Sequence, residues 1–214
     1  MDGFKMKTGI RCVLLLMSLM LSSSWAEEFE LQPATLEHLH AMREGGYVLF
    51  IRHGPTDSAL PDHVPIDLND CSTQRPLTDE GRTLMARVGQ AFQQAEILLG
   101  PIHSSPLCRA VETAEILFGA ERITVEQELM YVAALTTEEK QPIIQRTQAL
   151  LSAPVPSGEN RILVAHGPNM VEVMDYFPVE GTLVMLRPLP DGQGFEYLAS
   201  IEPDHWPQLL SLVE

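Results

Sequence analysis

The chain has 214 residues, 45% of them hydrophobic, and a formal net charge of -15. That length suits one domain with a real core, and no internal repeat or low-complexity segment divides it. The acidic balance excludes a nucleic-acid-binding surface, which needs clustered Lys and Arg, and a polyanionic ligand would meet net repulsion, so any anion site has to be local.

At the N-terminus, Lys5, Lys7 and Arg11 make a positive segment, and residues 12–21 (CVLLLMSLML) are a short apolar run. Ser24-Trp25-Ala26 then puts small residues where a signal peptidase reads. This is the pattern of a secretory signal peptide, too short for a transmembrane helix, with an uncleaved anchor as the alternative. Cys12 has no lipobox around it. Residues 1–26 are therefore read as a signal peptide and 27–214 as a single domain. The export pattern resembles a bacterial one, which makes the periplasm the expected location and leaves no stable membrane anchor after cleavage. Export leaves Cys71 and Cys108, an even pair in an oxidising compartment, and a disulfide between them is expected. No Cys/His spacing matches a structural zinc site.

Residues 33–43 have helical spacing, with Leu36, Leu39 and Met42 on one side and Gly45-Gly46 beyond the end. Residues 47–52 form the first strong strand. Residues 54–76 hold four prolines and several Asp, Asn and Ser, and read as a long loop, which in a compact domain is usually functional or disordered. Thr78 caps a helix running to about residue 95, with Leu84, Val88, Ala91 and Phe92 inward. Residues 101–104 are a short strand. Ser105-Pro106 then reads as a helix start, a capping Ser followed by Pro at the first helical position, and that helix stops at Gly119.

Further on, residues 123–125 are a short strand, and residues 137–151 are helical with Thr136 or Thr137 as cap. Residues 161–165 (RILVA) are the second strong strand, and residues 168–176 a short helix. Residues 182–186 and 195–201 are strands around the turn Asp191-Gly192. Strands alternating with helices predict an α/β three-layer sandwich, with a mainly parallel sheet, helices on both faces and an antiparallel edge from the last two strands.

Ligands of such sheets bind at the C-terminal ends of strands. Arg52-His53-Gly54 ends the first strong strand, Ser104-Ser105-Pro106-Leu107-Cys108-Arg109 follows a second, and His166-Gly167-Pro168 ends a third. Two histidines and two arginines thus converge on one sheet edge. Arginine binds phosphate bidentately, and a helix N-terminus favours it. A neutral imidazole can attack phosphorus when its other nitrogen is held by a hydrogen bond. Gly54 would let backbone approach the anion closely. Arg52 and Arg109 would offset charge on the equatorial oxygens, and His166 would hydrogen-bond the same oxygens.

FIRHGPT, then SSPLCRAVETAEILFG, then ILVAHGPN together resemble the histidine phosphatase superfamily, also called phosphoglycerate-mutase-like, over roughly residues 46–201. The resemblance implies that His53 is the phosphorylated nucleophile. It implies that Arg52, Arg109 and His166 form the phosphate pocket, with Thr56 as a further hydroxyl donor. The DCSTQRPLTDEGR segment resembles an exported bacterial subgroup and adds Arg75 as a pocket-side cation. Many members carry a leaving-group acid in a Leu-x-Glu pattern soon after the arginine helix. Here Tyr131 stands at that place, so the acid would be Glu128, Glu126 or Asp57, or none. Loss of the acid would favour phosphohistidine or activated esters.

The resulting expectation is a periplasmic phosphomonoesterase using a phosphohistidine, with no metal or nucleotide cofactor. Its partner would be a phosphorylated small molecule or envelope component. The alternatives are a phosphohistidine protein phosphatase with the same residues, and a phosphate- or sugar-phosphate-binding protein without turnover. His38, His40, His63, His103 and His205 lie outside the motifs, Glu112 pairs with an arginine or is solvated, and Trp206 plugs the core.

Overall fold

The computed structural model describes Met1 and residues 29–212. The signal-peptide segment proper therefore lies outside the described residues. Six strands form one sheet: β1 (Val48–Arg52), β2 (Ile102–Ser104), β3 (Ile123–Val125), β4 (Arg161–Ala165), β5 (Leu183–Pro188) and β6 (Phe195–Ile201). Their order is β3-β2-β4-β1-β5-β6. The first four positions pair in parallel, and β5 runs antiparallel to both β1 and β6. The reversed strand is therefore one place in from the edge, because β6 turns back and covers it.

The run Val48-Leu49-Phe50-Ile51 is wholly apolar because β1 is buried on both faces, with each residue 0% exposed. Its side chains alternate between two cores. Leu49 and Ile51 join α1 (Leu36–Glu44), α2 (Asp79–Gln94), α3 (Cys108–Phe118) and α6 (Trp206–Leu210) on one face. Val48 and Phe50 join α4 (Thr137–Ser152) and α5 (Gly167–Met174) on the other. Burying a side chain such as Phe50 contributes about 1.5–3 kcal/mol, and these paired layers fix where β1 and β4 end. Trp206 is buried in the first core.

Capping sets where the helices begin. Thr78 Oγ1 accepts the N–H of Gly81, and Asp79 and Glu80 in the first turn of α2 complement its positive end. Thr136, of the two candidates, caps α4 through a capping box with Glu139. The face α2 turns inward carries Met85, Val88, Ala91 and Phe92, whereas Leu84 is only half-buried.

The expected start of α3 needs correction. The helix begins at Cys108 with Leu107 as its cap residue, not at Ser105-Pro106. Ser105 stays with the sheet, its N–H bonded to Val164 O at 2.9 Å, and its hydroxyl is engaged elsewhere. Cys71 and Cys108 are joined in a disulfide, with Cα atoms 5.7 Å apart. It ties the long proline-rich loop to the first residue of α3. Among the described residues no helix is long and apolar enough to cross a membrane, and no three His, Cys, Asp or Glu group to hold a metal.

Candidate active site

β1 and β4 lie side by side in register, Arg52 opposite Ala165, so His53 and His166 leave the sheet at the same level. His53 N–H donates to Ala165 O at 3.0 Å, which locks the two strand ends together. The two imidazoles are both buried, with ring centroids 5.2 Å apart. β2 lies on the far side of β4 and delivers Ser104-Ser105, followed by α3 and its Arg109, which is 0% exposed.

Hydrogen bonding assigns the tautomer of His53. Its Nδ1 is 2.9 Å from Gly54 O, and a carbonyl only accepts, so Nδ1 carries the proton and Nε2 the lone pair. Burial, aided by the charges of Arg109, Arg52 and Arg75, holds the pKa of His53 down to about 3. The imidazole is thus neutral and nucleophilic at any physiological pH. His166 is pushed down in the same direction, chiefly by burial and then by His53 and the arginines. Its Nε2 meets Ser105 Oγ at 2.7 Å, while Ser105 Oγ accepts the N–H of Leu107 at 3.3 Å. The serine hydroxyl can donate to Nε2, and in that tautomer Nδ1 of His166 is an N–H donor. That Nδ1 is buried with no partner among the described residues.

The arginines are held by groups that sequence reasoning missed. Arg109 Nη1 donates to Asp62 Oδ1 at 2.9 Å, while its Nε and Nη2 are buried and without partners among the described residues. Arg52 Nη1 donates to Pro178 O at 2.7 Å, its Nη2 reaches Glu180 Oε1 at 3.4 Å, and its guanidinium lies 4.5 Å from the centre of the Phe177 ring. Gly181 N–H donates to His53 O at 3.0 Å, so this loop is clamped to the end of β1. Asp62 and Glu180 come from irregular segments with no periodic signal; the only available hint, for Asp62 alone, was its place in the long loop over residues 54–76.

The remaining expected residues fall as follows. Arg75 lies close enough for its charge to be felt by Arg52, His53, Arg109 and His166. Thr56 is not a free donor: its hydroxyl donates to Glu180 Oε1 at 2.8 Å. Gly54 is packed closely and its N–H is already engaged. A Cβ there would come within 2.6 Å of Met85 Cγ, and its N–H donates to Thr113 Oγ1 at 3.0 Å. Thr113 in turn donates to Arg109 O at 2.6 Å, coupling the His53-Gly54 turn to α3.

None of the three carboxylates expected to supply the acid is hydrogen-bonded or ion-paired to the cluster. Glu126 is held by His103 at 2.9 Å and Arg146 at 3.0 Å, Glu128 is exposed, and Asp57 accepts the N–H of Ala59. Burial, partly offset by Glu126, lowers the pKa of His103. Glu112 pairs with Arg82 at 2.6 Å.

Two neutral imidazoles, the buried Arg109 and the largely buried Arg52, with unused N–H groups among the described residues, make a chemical setting able to bind an oxyanion beside a ring nitrogen that carries a lone pair. Residues 48–151 match the family described as histidine phosphatase superfamily (branch 1). The chain belongs to the histidine phosphatase superfamily. The matched stretch includes His53 and Arg109; His166, beyond it, is brought in by the pairing of β4 with β1. No curated protein is significantly similar in sequence.

The fold is that of solved histidine phosphatases. The protein histidine phosphatase SixA complexed with tungstate is 16% identical, with a TM-score of 0.50, covering 74% of this chain and 97% of its own. A protein from Escherichia coli str. K-12 substr. MG1655, provisionally described as an alpha-ribazole-5'-P phosphatase, is 14% identical with a TM-score of 0.54. That match covers 73% of this chain and 97% of the other.

Proposed function

We propose that this histidine phosphatase is a phosphomonoesterase that works through a phosphohistidine on His53. The observation that carries the reading is the Nδ1–H bond from His53 to Gly54 O, which leaves the Nε2 lone pair on a neutral buried ring. Nε2 attacks phosphorus in line, and Nδ1–H stays bonded to the carbonyl as the ring becomes cationic. Arg109 Nε and Nη2, Arg52 Nε and His166 Nδ1–H bind the equatorial oxygens. Water then attacks the phosphohistidine, the P–N bond breaks and His53 returns to its starting tautomer. Arginines supply the charge stabilisation that a metal gives elsewhere, so the reaction needs no metal.

The substrate class is phosphorylated small molecules or an envelope component, with the mature protein in the periplasm. Support for that location is the pattern of residues 1–26 and the disulfide. A phosphohistidine protein phosphatase is the second reading, favoured by the absence of a carboxylate at Tyr131. Turnover of p-nitrophenyl phosphate in EDTA, beside His53→Ala, tests the proposal. Activity that survives chelation and is lost in the variant is expected. No turnover by folded wild-type protein would turn the reading to a binding protein.

A further inference from the structure

Resting on that phosphohistidine route, we infer that the Tyr131 hydroxyl protonates the leaving-group oxygen. Tyr131 lies among the phosphate-binding residues themselves. Its ring meets His166 edge-on, with centroids 5.5 Å apart, and the guanidinium carbon of Arg109 stands 5.4 Å from its centre. Its phenol is near enough to Arg52 and Arg109 to influence the charge of both. It is half-buried, so it borders the pocket and does not lie beneath it.

Its position is fixed from both sides. Leu129 and Val132 are buried, and Asn169 Nδ2 donates to Met130 O at 3.1 Å. Asn169 N–H in turn donates to His166 O at 3.1 Å, so Tyr131 and His166 are carried by one connected unit. The two carboxylates at the arginines do not compete for the role. Asp62 and Glu180 accept from N–H and O–H donors, the wrong polarity for a proton donor.

The proton balance closes. As Nε2 of His53 bonds to phosphorus, the P–O bond to the leaving group breaks and that oxygen takes the phenolic proton. The positive charges of Arg52 and Arg109 are near enough to favour the resulting phenolate. In the second step water attacks phosphorus, its proton returns to the phenolate, and the P–N electron pair returns to Nε2. Alkyl and unactivated aryl phosphates therefore stay within the substrate range, which a site with no donor would exclude.

The test is a graded series, dinitrophenyl, p-nitrophenyl and phenyl phosphate, with wild type and Tyr131→Phe. Thermal melts confirm that the variant, which keeps the ring, is folded. Wild type should show a shallow dependence of rate on leaving-group acidity. In Tyr131→Phe the loss should grow along the series, to roughly 10²–10⁴-fold on phenyl phosphate. A loss equal across the series, or none, overturns the role of Tyr131. So does a steep dependence in wild type alone, a measurement that needs no variant. Wild type inactive on all three esters contradicts the phosphatase reading itself.

Discussion

Asp62 and Arg109 form a pair across the pocket wall: one carboxylate oxygen accepts Arg109 Nη1 at 2.9 Å and the backbone N–H of Arg75 at 2.8 Å. A guanidinium that is 0% exposed is thereby oriented by a loop residue, with Nε and Nη2 left without a partner among the described residues. Asp62→Asn keeps the shape and removes the charge. Stability should fall by about 1.5–3 kcal/mol, the worth of a hydrogen bond to a charged group, and kcat/KM by about tenfold or more. Urea unfolding and steady-state kinetics measure both. An unchanged variant would mean that Arg109 is placed by α3 alone.

Glu180 occupies Thr56 and one edge of Arg52. Glu180→Gln removes a negative charge from the pocket mouth and loosens both groups. Inorganic phosphate should inhibit the variant about fivefold more tightly, from a Coulomb change of about 1 kcal/mol. Weaker inhibition would show that Glu180 acts chiefly by orienting Arg52.

The disulfide closes a loop between residues 37 apart in sequence. On the chain-entropy argument its reduction should cost about 3–4 kcal/mol. Because Cys108 precedes Arg109, activity should fall with it. Denaturant unfolding with and without reductant tests this, and both thiols reacting in the folded oxidised protein would contradict the bond.

Burial of neutral His53 and His166 fixes the sign of the acid response. Unfolded histidine takes up a proton below about pH 6.5, while folded His53 does so only near 3. Stability should therefore be lost as pH falls through that window, by about 1.4 kcal/mol per pH unit for each such histidine. His53→Asn should flatten the slope. For the same reason kcat/KM should show no acid limb near pH 6.5 from the nucleophile. A slope unchanged in His53→Asn would mean that His53 is charged in the folded protein.

Much of this fold was legible because β1 and β4 are buried on both faces and therefore read as unbroken apolar runs. Each run ends in polar residues, so Arg52, His53 and His166 stood out. Arg109 was placed by its spacing after β2, although the helix begins later than the Ser-Pro signal suggested. Ser105 resembled a cap in sequence, but tertiary contact with His166 outweighed that local preference. Asp62 and Glu180 come from segments without periodicity, and Glu180 meets Thr56 across 124 residues. Such contacts depend on how loops fold back, which no local pattern records.

The central claim is a covalent phosphohistidine on His53, and the most direct measurement is to trap it. Wild-type protein mixed with a labelled aryl phosphate and quenched in alkali should retain label that is lost on acid treatment. The label should map to the peptide holding His53 and be absent in His53→Ala. Turnover without any trapped label, or label on another residue, would contradict the account.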